Sequence, residues 1–154
     1  MKSVENCSGM TLIELIVSIG IMAIILTVIF AFLTAGIKSL ILADKQMEVQ
    51  QNARIAFDWI SRDLKIAKDY EIVAEDKIKI IPYEGTVMTY YKSGKQLILE
   101  RNKGHNPIAN YIEYLKFEKM PDTTVKIDLI VEKDSYKVEL STKVKPPIKL
   151  GEDL

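Results

Sequence analysis

With 154 residues the chain is long enough for one modest domain with something attached to it, and its 21 basic residues balance its 21 acidic ones. That balance removes any global electrostatic case for nucleic acid or for an acidic substrate. One cysteine, Cys7, and one histidine, His105, exclude by count a metal site built from those two residue types.

The chain opens with a short polar stretch that holds Cys7. Val4-Glu5-Asn6 supplies no apolar segment ahead of that cysteine, so a lipoprotein signal does not fit. From Leu15 to Leu33 no residue is charged, and only Ser18, Gly20 and Thr27 interrupt the apolar run. As a helix this stretch is roughly 28 Å long, close to the ~30 Å hydrocarbon core of a bilayer. A buried core helix would need a large domain to cover every face, and the remaining residues are too few. Membrane insertion is therefore expected. Charge does not orient the span, because Lys2 precedes it while Lys38 and Lys45 follow it.

An ordinary secretory signal with cleavage after Thr34-Ala35-Gly36 has the right small residues. Against it stands Glu14, an acid joined directly to the apolar run. A carboxylate at the centre of a spanning helix costs about 2.5–3.5 kcal/mol on insertion scales, and less near an end. A secretion signal gains nothing from that cost.

Gly9-Met10-Thr11-Leu12-Ile13-Glu14, followed at once by the apolar helix, resembles the prepilin cleavage and methylation motif. The resemblance implies that prepilin peptidase cuts between Gly9 and Met10 on the cytoplasmic side, and that the new Met10 amine is methylated. Most members of that family carry phenylalanine where Met10 stands. Glu14 matches the family's glutamate, which implies a role in subunit docking. Physical chemistry agrees with that role. Met10 and Glu14 lie four residues apart on one helix face, and a carboxylate stripped of water among apolar helices seeks a cation. Such a pair is a device for fixing register more than a source of stability.

From Lys38 to about Lys68 there is neither glycine nor proline, and helix formers dominate. Val49, Ala53, Ala56, Ile60, Leu64 and Ala67 recur at three- and four-residue steps, and Ile55, Trp59 and Ile66 widen the stripe. Gln50, Gln51, Arg54, Asp58, Arg62, Lys65 and Lys68 form the opposite, polar side. Residues 52–67 also resemble the corresponding helix of J-type minor pseudopilins of type II secretion and of W-type minor pilins. That likeness implies a minor component of a filament. Read without it, Arg62 and Asp63 belong to a solvated helix face.

The remainder reads as strands: Lys77–Ile81, Thr86–Lys92, Gln96–Arg101, Tyr111–Glu118, Thr124–Glu132 and Tyr136–Val144. Ser93-Gly94-Lys95 and Lys133-Asp134-Ser135 are turns, and 102–110, with Gly104, His105 and Pro107, is a loop. Lys126 and Asp128 alternate with Ile127 and Leu129, so one face of that strand should be wet. Pro146-Pro147 cannot continue a central strand.

The expected fold class is α+β and pilin-like: a long N-terminal helix, transmembrane in its first half, packed on an antiparallel sheet. The expected organisation is a cleaved leader at 1–9, a transmembrane or filament-core helix at 10–37, its amphipathic continuation at 38–69 and a β domain at 70–154. No nucleophile-elbow glycine pattern and no phosphate-binding loop occur, and the pairs Glu75-Asp76 and Glu152-Asp153 match no calcium loop. No catalytic, cofactor or metal site is expected. The function implied is a structural subunit of a pilus or secretion pseudopilus. Its expected partners are other pilin or pseudopilin subunits, prepilin peptidase, an inner-membrane assembly platform and membrane lipid, with no nucleic-acid contact. It would sit in the cytoplasmic membrane as a single-pass protein, N-terminus inside, before joining an extracytoplasmic filament. The alternatives are a signal-anchored membrane protein with an extracytoplasmic ligand-binding β domain, and an exported enzyme.

Overall fold

The computed structural model describes residues 11–147. Helix α1 spans Leu12–Lys65. It is followed by β1 (Ala67–Ala74), β2 (Lys77–Pro82), β3 (Met88–Ser93), β4 (Gln96–Arg101), β5 (Gly104–Asn110), β6 (Ile112–Lys119), β7 (Val125–Lys133) and β8 (Tyr136–Val144). The fold is α+β, as expected, but the strands form two antiparallel sheets where one was expected. The first has five strands in the order β1-β2-β3-β4-β5, and the second has three in the order β6-β7-β8. The described residues divide into two units, one up to Ala43 and the other from Asp44.

Within the second unit, one face of the helix and the inner faces of both sheets build a shared core. Val49, Ala53, Ala56, Ile60 and Leu64 are buried with Ile78, Ile80, Tyr90, Leu97 and Leu99 of the first sheet and Leu115, Phe117, Ile127, Leu129 and Val131 of the second. All six positions of the predicted apolar stripe are buried, and the seven predicted polar positions are exposed. Two of the three widening residues depart from expectation: Trp59 and Ile66 face outward, at 36% and 58% exposure. Both line an open groove with Pro82, Met88 and Leu99 of the first sheet, which leaves them in contact with solvent.

The second sheet explains the clean alternation in β7. Val125, Ile127, Leu129 and Val131 point to the core, while Lys126 and Asp128 meet on the outer face at 2.8 Å. Gly94 adopts a φ of 57° in the turn where Ser93 pairs with Gln96, a conformation glycine reaches without steric cost. β8 ends at Val144, short of the two prolines.

Two strands were not expected. β1 carries Lys68, Asp69 and Glu71, and only Ala67 on it is fully buried, although Tyr70 and Ile72 pack partly buried against the core at two-residue spacing. Its backbone is captured by β2, with Ala67 opposite Pro82, and this ends α1 at Lys65 instead of Lys68. β5 contains Pro107, the sign that suggested a loop. Because β5 is the last strand of its sheet and carries a register shift beside Pro107, the missing N–H breaks no ladder on its outer side.

Candidate processing and assembly site

The first described turn of α1 is built by its own side chains. Thr11 precedes the helix, and its carbonyl accepts the first helical hydrogen bond from Leu15 N–H at 3.2 Å. Its Oγ1 accepts from the Glu14 N–H at 3.4 Å, while Glu14 Oε2 accepts from the Thr11 N–H and from the Thr11 hydroxyl, each at 2.8 Å. This is a capping box, in which two otherwise unpaired donors at the helix start are satisfied reciprocally. The Thr-x-x-Glu spacing is the sequence signal of this box, which the reading of Glu14 as a partner for the Met10 amine does not use. The carboxylate also sits where the helix dipole favours negative charge. Oε1 of Glu14 has no hydrogen-bond partner among the described residues.

Beyond Glu14 the helix is apolar and uncovered. Leu12, Ile16, Met22, Ile24, Phe30, Phe32 and Leu33 are each more than half exposed, and the window of highest hydropathy, with mean hydropathy 2.9, is 0% buried. The polar side chains within it satisfy themselves locally. Ser18 donates to the Glu14 carbonyl at 2.7 Å, Thr27 to Ala23 at 2.8 Å and Thr34 to Ala31 at 3.0 Å. Such back-bonding is what a helix needs where water is absent, because each unsatisfied polar group there costs several kcal/mol. One helix among the described residues is thus long and apolar enough to cross a membrane. An apolar segment of this kind near the N-terminus is consistent with membrane anchoring.

Gly9 and Met10, the residues expected to flank the cleaved bond, lie outside the described residues. The other predicted functional positions resolve differently. Asp63, read from sequence as solvated, is 4% exposed, and its Oδ2 accepts from the Tyr90 hydroxyl at 2.6 Å. Arg62 is the solvated member of the pair. It lies over the Trp59 ring at 4.4 Å and reaches Asp63 Oδ1 through Nε at 3.2 Å. Burial first, and then the bond to Asp63, push the Tyr90 hydroxyl far above the ordinary tyrosine range. His105 stands exposed on β5, with Nδ1 3.0 Å from the Tyr91 hydroxyl. Among the described residues no three His, Cys, Asp or Glu side chains group as metal ligands would.

The model for the prokaryotic N-terminal methylation motif matches residues 5–30. That span covers the second half of the polar stretch, with Gly9 and Met10, the capping box and most of the apolar run. Neither a curated protein nor a solved structure matches the chain. A prepilin-type N-terminal motif that leads into an uncovered apolar helix, with antiparallel sheets behind it, supports a prepilin-processed chain of the type IV pilin-like family.

Proposed function

We propose that this protein is a minor type IV pilin or pseudopilin, a structural subunit without catalytic chemistry. Prepilin peptidase would cut between Gly9 and Met10, the Met10 amine would be methylated, and the apolar part of α1 would pass from the membrane into a filament core. The observation that carries this reading is the apolar helix, uncovered on all sides, whose first turn lies inside the matched motif. Such a surface is stable only in lipid or against other apolar helices.

Glu14 is the docking residue in this proposal. Oε2 is engaged by Thr11, so Oε1 remains to receive the Met10 amine of the same or a neighbouring subunit. The capping box lowers the cost of keeping a carboxylate at this depth before a partner arrives. The likeness of residues 52–67 to J-type pseudopilins and W-type pilins favours a minor position. The partners proposed are other filament subunits and an inner-membrane assembly platform, with the N-terminus on the cytoplasmic side before assembly.

N-terminal sequencing of the protein purified from membranes tests the proposal. A chain that starts at Met10 with a methylated amine is the expected result. A start at Met1 would assign a signal-anchored protein, and a start at Ile37 a secreted one. Either would overturn the pilin reading.

A further inference from the structure

One row of helix side chains at the start of the second unit grips two distant places in the β region. Lys45, Glu48 and Asn52 are spaced by three and four residues, so they stack along one helix face. Lys45 pairs with Asp134 at 2.8 Å, and Glu48 pairs with Lys133 at 2.5 Å. The helix thus presents a cation and then an anion to a hairpin tip that offers an anion and a cation in return. Asn52 donates to the Glu48 carbonyl, which orients its amide so that Oδ1 accepts from the Asn110 N–H at 2.7 Å.

Asn110 and Tyr111 form the crossover from β5 to β6, the passage between the two sheets. Tyr111 has a φ of 64°, a conformation that a bulky side chain rarely adopts. Every part of this residue is held. Its hydroxyl donates to Glu48 Oε1 at 2.9 Å, its ring lies 4.5 Å from Lys133 Nζ, and its carbonyl accepts from the Glu132 N–H at 2.8 Å. Glu48 therefore uses one oxygen on the strained tyrosine and the other on the lysine that covers it.

We propose that Glu48, Tyr111 and Lys133 form a latch that keeps the inter-sheet crossover in its strained conformation, and that breaking it opens the crossover and the β7–β8 hairpin tip together. The reasoning is geometric. A backbone in the left-handed region returns to an extended one unless its surroundings over-determine it. Here α1 supplies Glu48 and β7 supplies Lys133 and the Glu132 N–H, and the side-chain contacts converge on that single half-exposed glutamate. The charged groups that act on that glutamate are Lys133, which pairs with it, and Asp134, which is itself paired with Lys45. The far end of the same sheet is tied independently, through Phe117 N–H to the Glu75 carbonyl at 2.7 Å and Tyr70 hydroxyl to the Thr123 carbonyl at 2.9 Å. The opening is therefore local.

Amide hydrogen exchange on the full chain in detergent, resolved by residue, reads this latch directly. Glu48→Ala should speed exchange of the Glu132 and Ile112 amides by about tenfold and leave the Phe117 amide and β3 unchanged. Tyr111→Phe, which keeps the ring and removes only the hydroxyl bonded to Glu48, should speed the same two amides. The double variant should add little to the larger single effect. Unchanged exchange at Glu132 in Glu48→Ala would overturn the proposal. So would acceleration that reaches Phe117 equally, or single effects that simply multiply in the double variant.

Discussion

The Tyr90 hydroxyl donates to the Asp63 carboxylate at 2.6 Å, joining the last turns of α1 to the centre of the five-stranded sheet across 27 residues of sequence. Both side chains are buried, so each is the answer to the other's desolvation. Tyr90→Phe should destabilise the folded domain by about 1.5–3 kcal/mol, because it leaves a buried carboxylate with only the Arg62 contact. Asp63→Asn, which retains an acceptor, should cost less than Asp63→Ala. Urea unfolding of a chain truncated to begin at Lys38 measures all three. Equal stability of Tyr90→Phe and the parent would show that the bond contributes nothing.

The same tyrosine gives an alkaline signature. Its folded pKa is raised, so the stability it contributes is whole below the unfolded value of 10.0 and declines as pH rises above it. Ultraviolet titration should find one tyrosine that does not ionise until the domain unfolds, and Tyr90→Phe should remove it. If every tyrosine of the folded parent ionised in its ordinary range, the burial argument would fail.

Acid should act through the ion-paired carboxylates. Hydrogen bonds from Lys133 and then Tyr111 hold Glu48 below the ordinary glutamate range, and those from Lys126 and then Ser141 do the same for Asp128. Asp134 is lowered by Lys45. A depressed folded pKa contributes stability above the unfolded value, and that stability is lost as pH falls through the folded one. Denaturation midpoints should therefore hold near neutrality and fall as pH drops below the ordinary values of 4.5 for Glu48 and 3.8 for the aspartates. Added salt should shrink the loss, since these groups are at least partly open to solvent. A midpoint independent of pH down to 3 would contradict the assignment.

Processing is tested at Gly9. In Gly9→Val a branched side chain stands against the scissile bond, and the chain should persist in membranes at its unprocessed mass. Mature protein of normal mass from that variant would remove the proposed cleavage site.

Glu14→Ala separates capping from docking. Membrane insertion and cleavage should remain, and insertion should improve slightly as a charge leaves the apolar helix. Incorporation into sheared filaments should fall, because a partner's Met10 amine would be buried without its counter-ion, a loss of roughly 3–5 kcal/mol. Thr11→Ala removes only the hydroxyl of the capping box and should cost about 1 kcal/mol of helix-start stability, with a smaller effect on incorporation. Wild-type incorporation of Glu14→Ala would assign the carboxylate to capping alone.

The apolar run after Glu14 and the Val49-to-Leu64 stripe were legible in the sequence, because both are written in the period of a single helix and need no knowledge of neighbours. So were the hairpins at Gly94 and Asp134, where the turn residues declare the backbone conformation they permit. The capping box is legible too, from the spacing of Thr11 and Glu14 alone. The tertiary structure decided the rest. β5 has no apolar alternation and β1 only the short Tyr70–Ile72 one, and both are strands because a neighbouring backbone offers them a ladder. The chain passes from one sheet to the other at Tyr111, whose left-handed conformation is met by contacts from Glu48 and Lys133 far away in the chain. Asp63 points inward because Tyr90 waits there with a hydroxyl, although its neighbours Arg62 and Lys65 mark a wet helix face. Periodicity records which face of an element is buried. It carries no record of which polar group on the far side of a core will meet it, because that pairing exists only once the chain has closed.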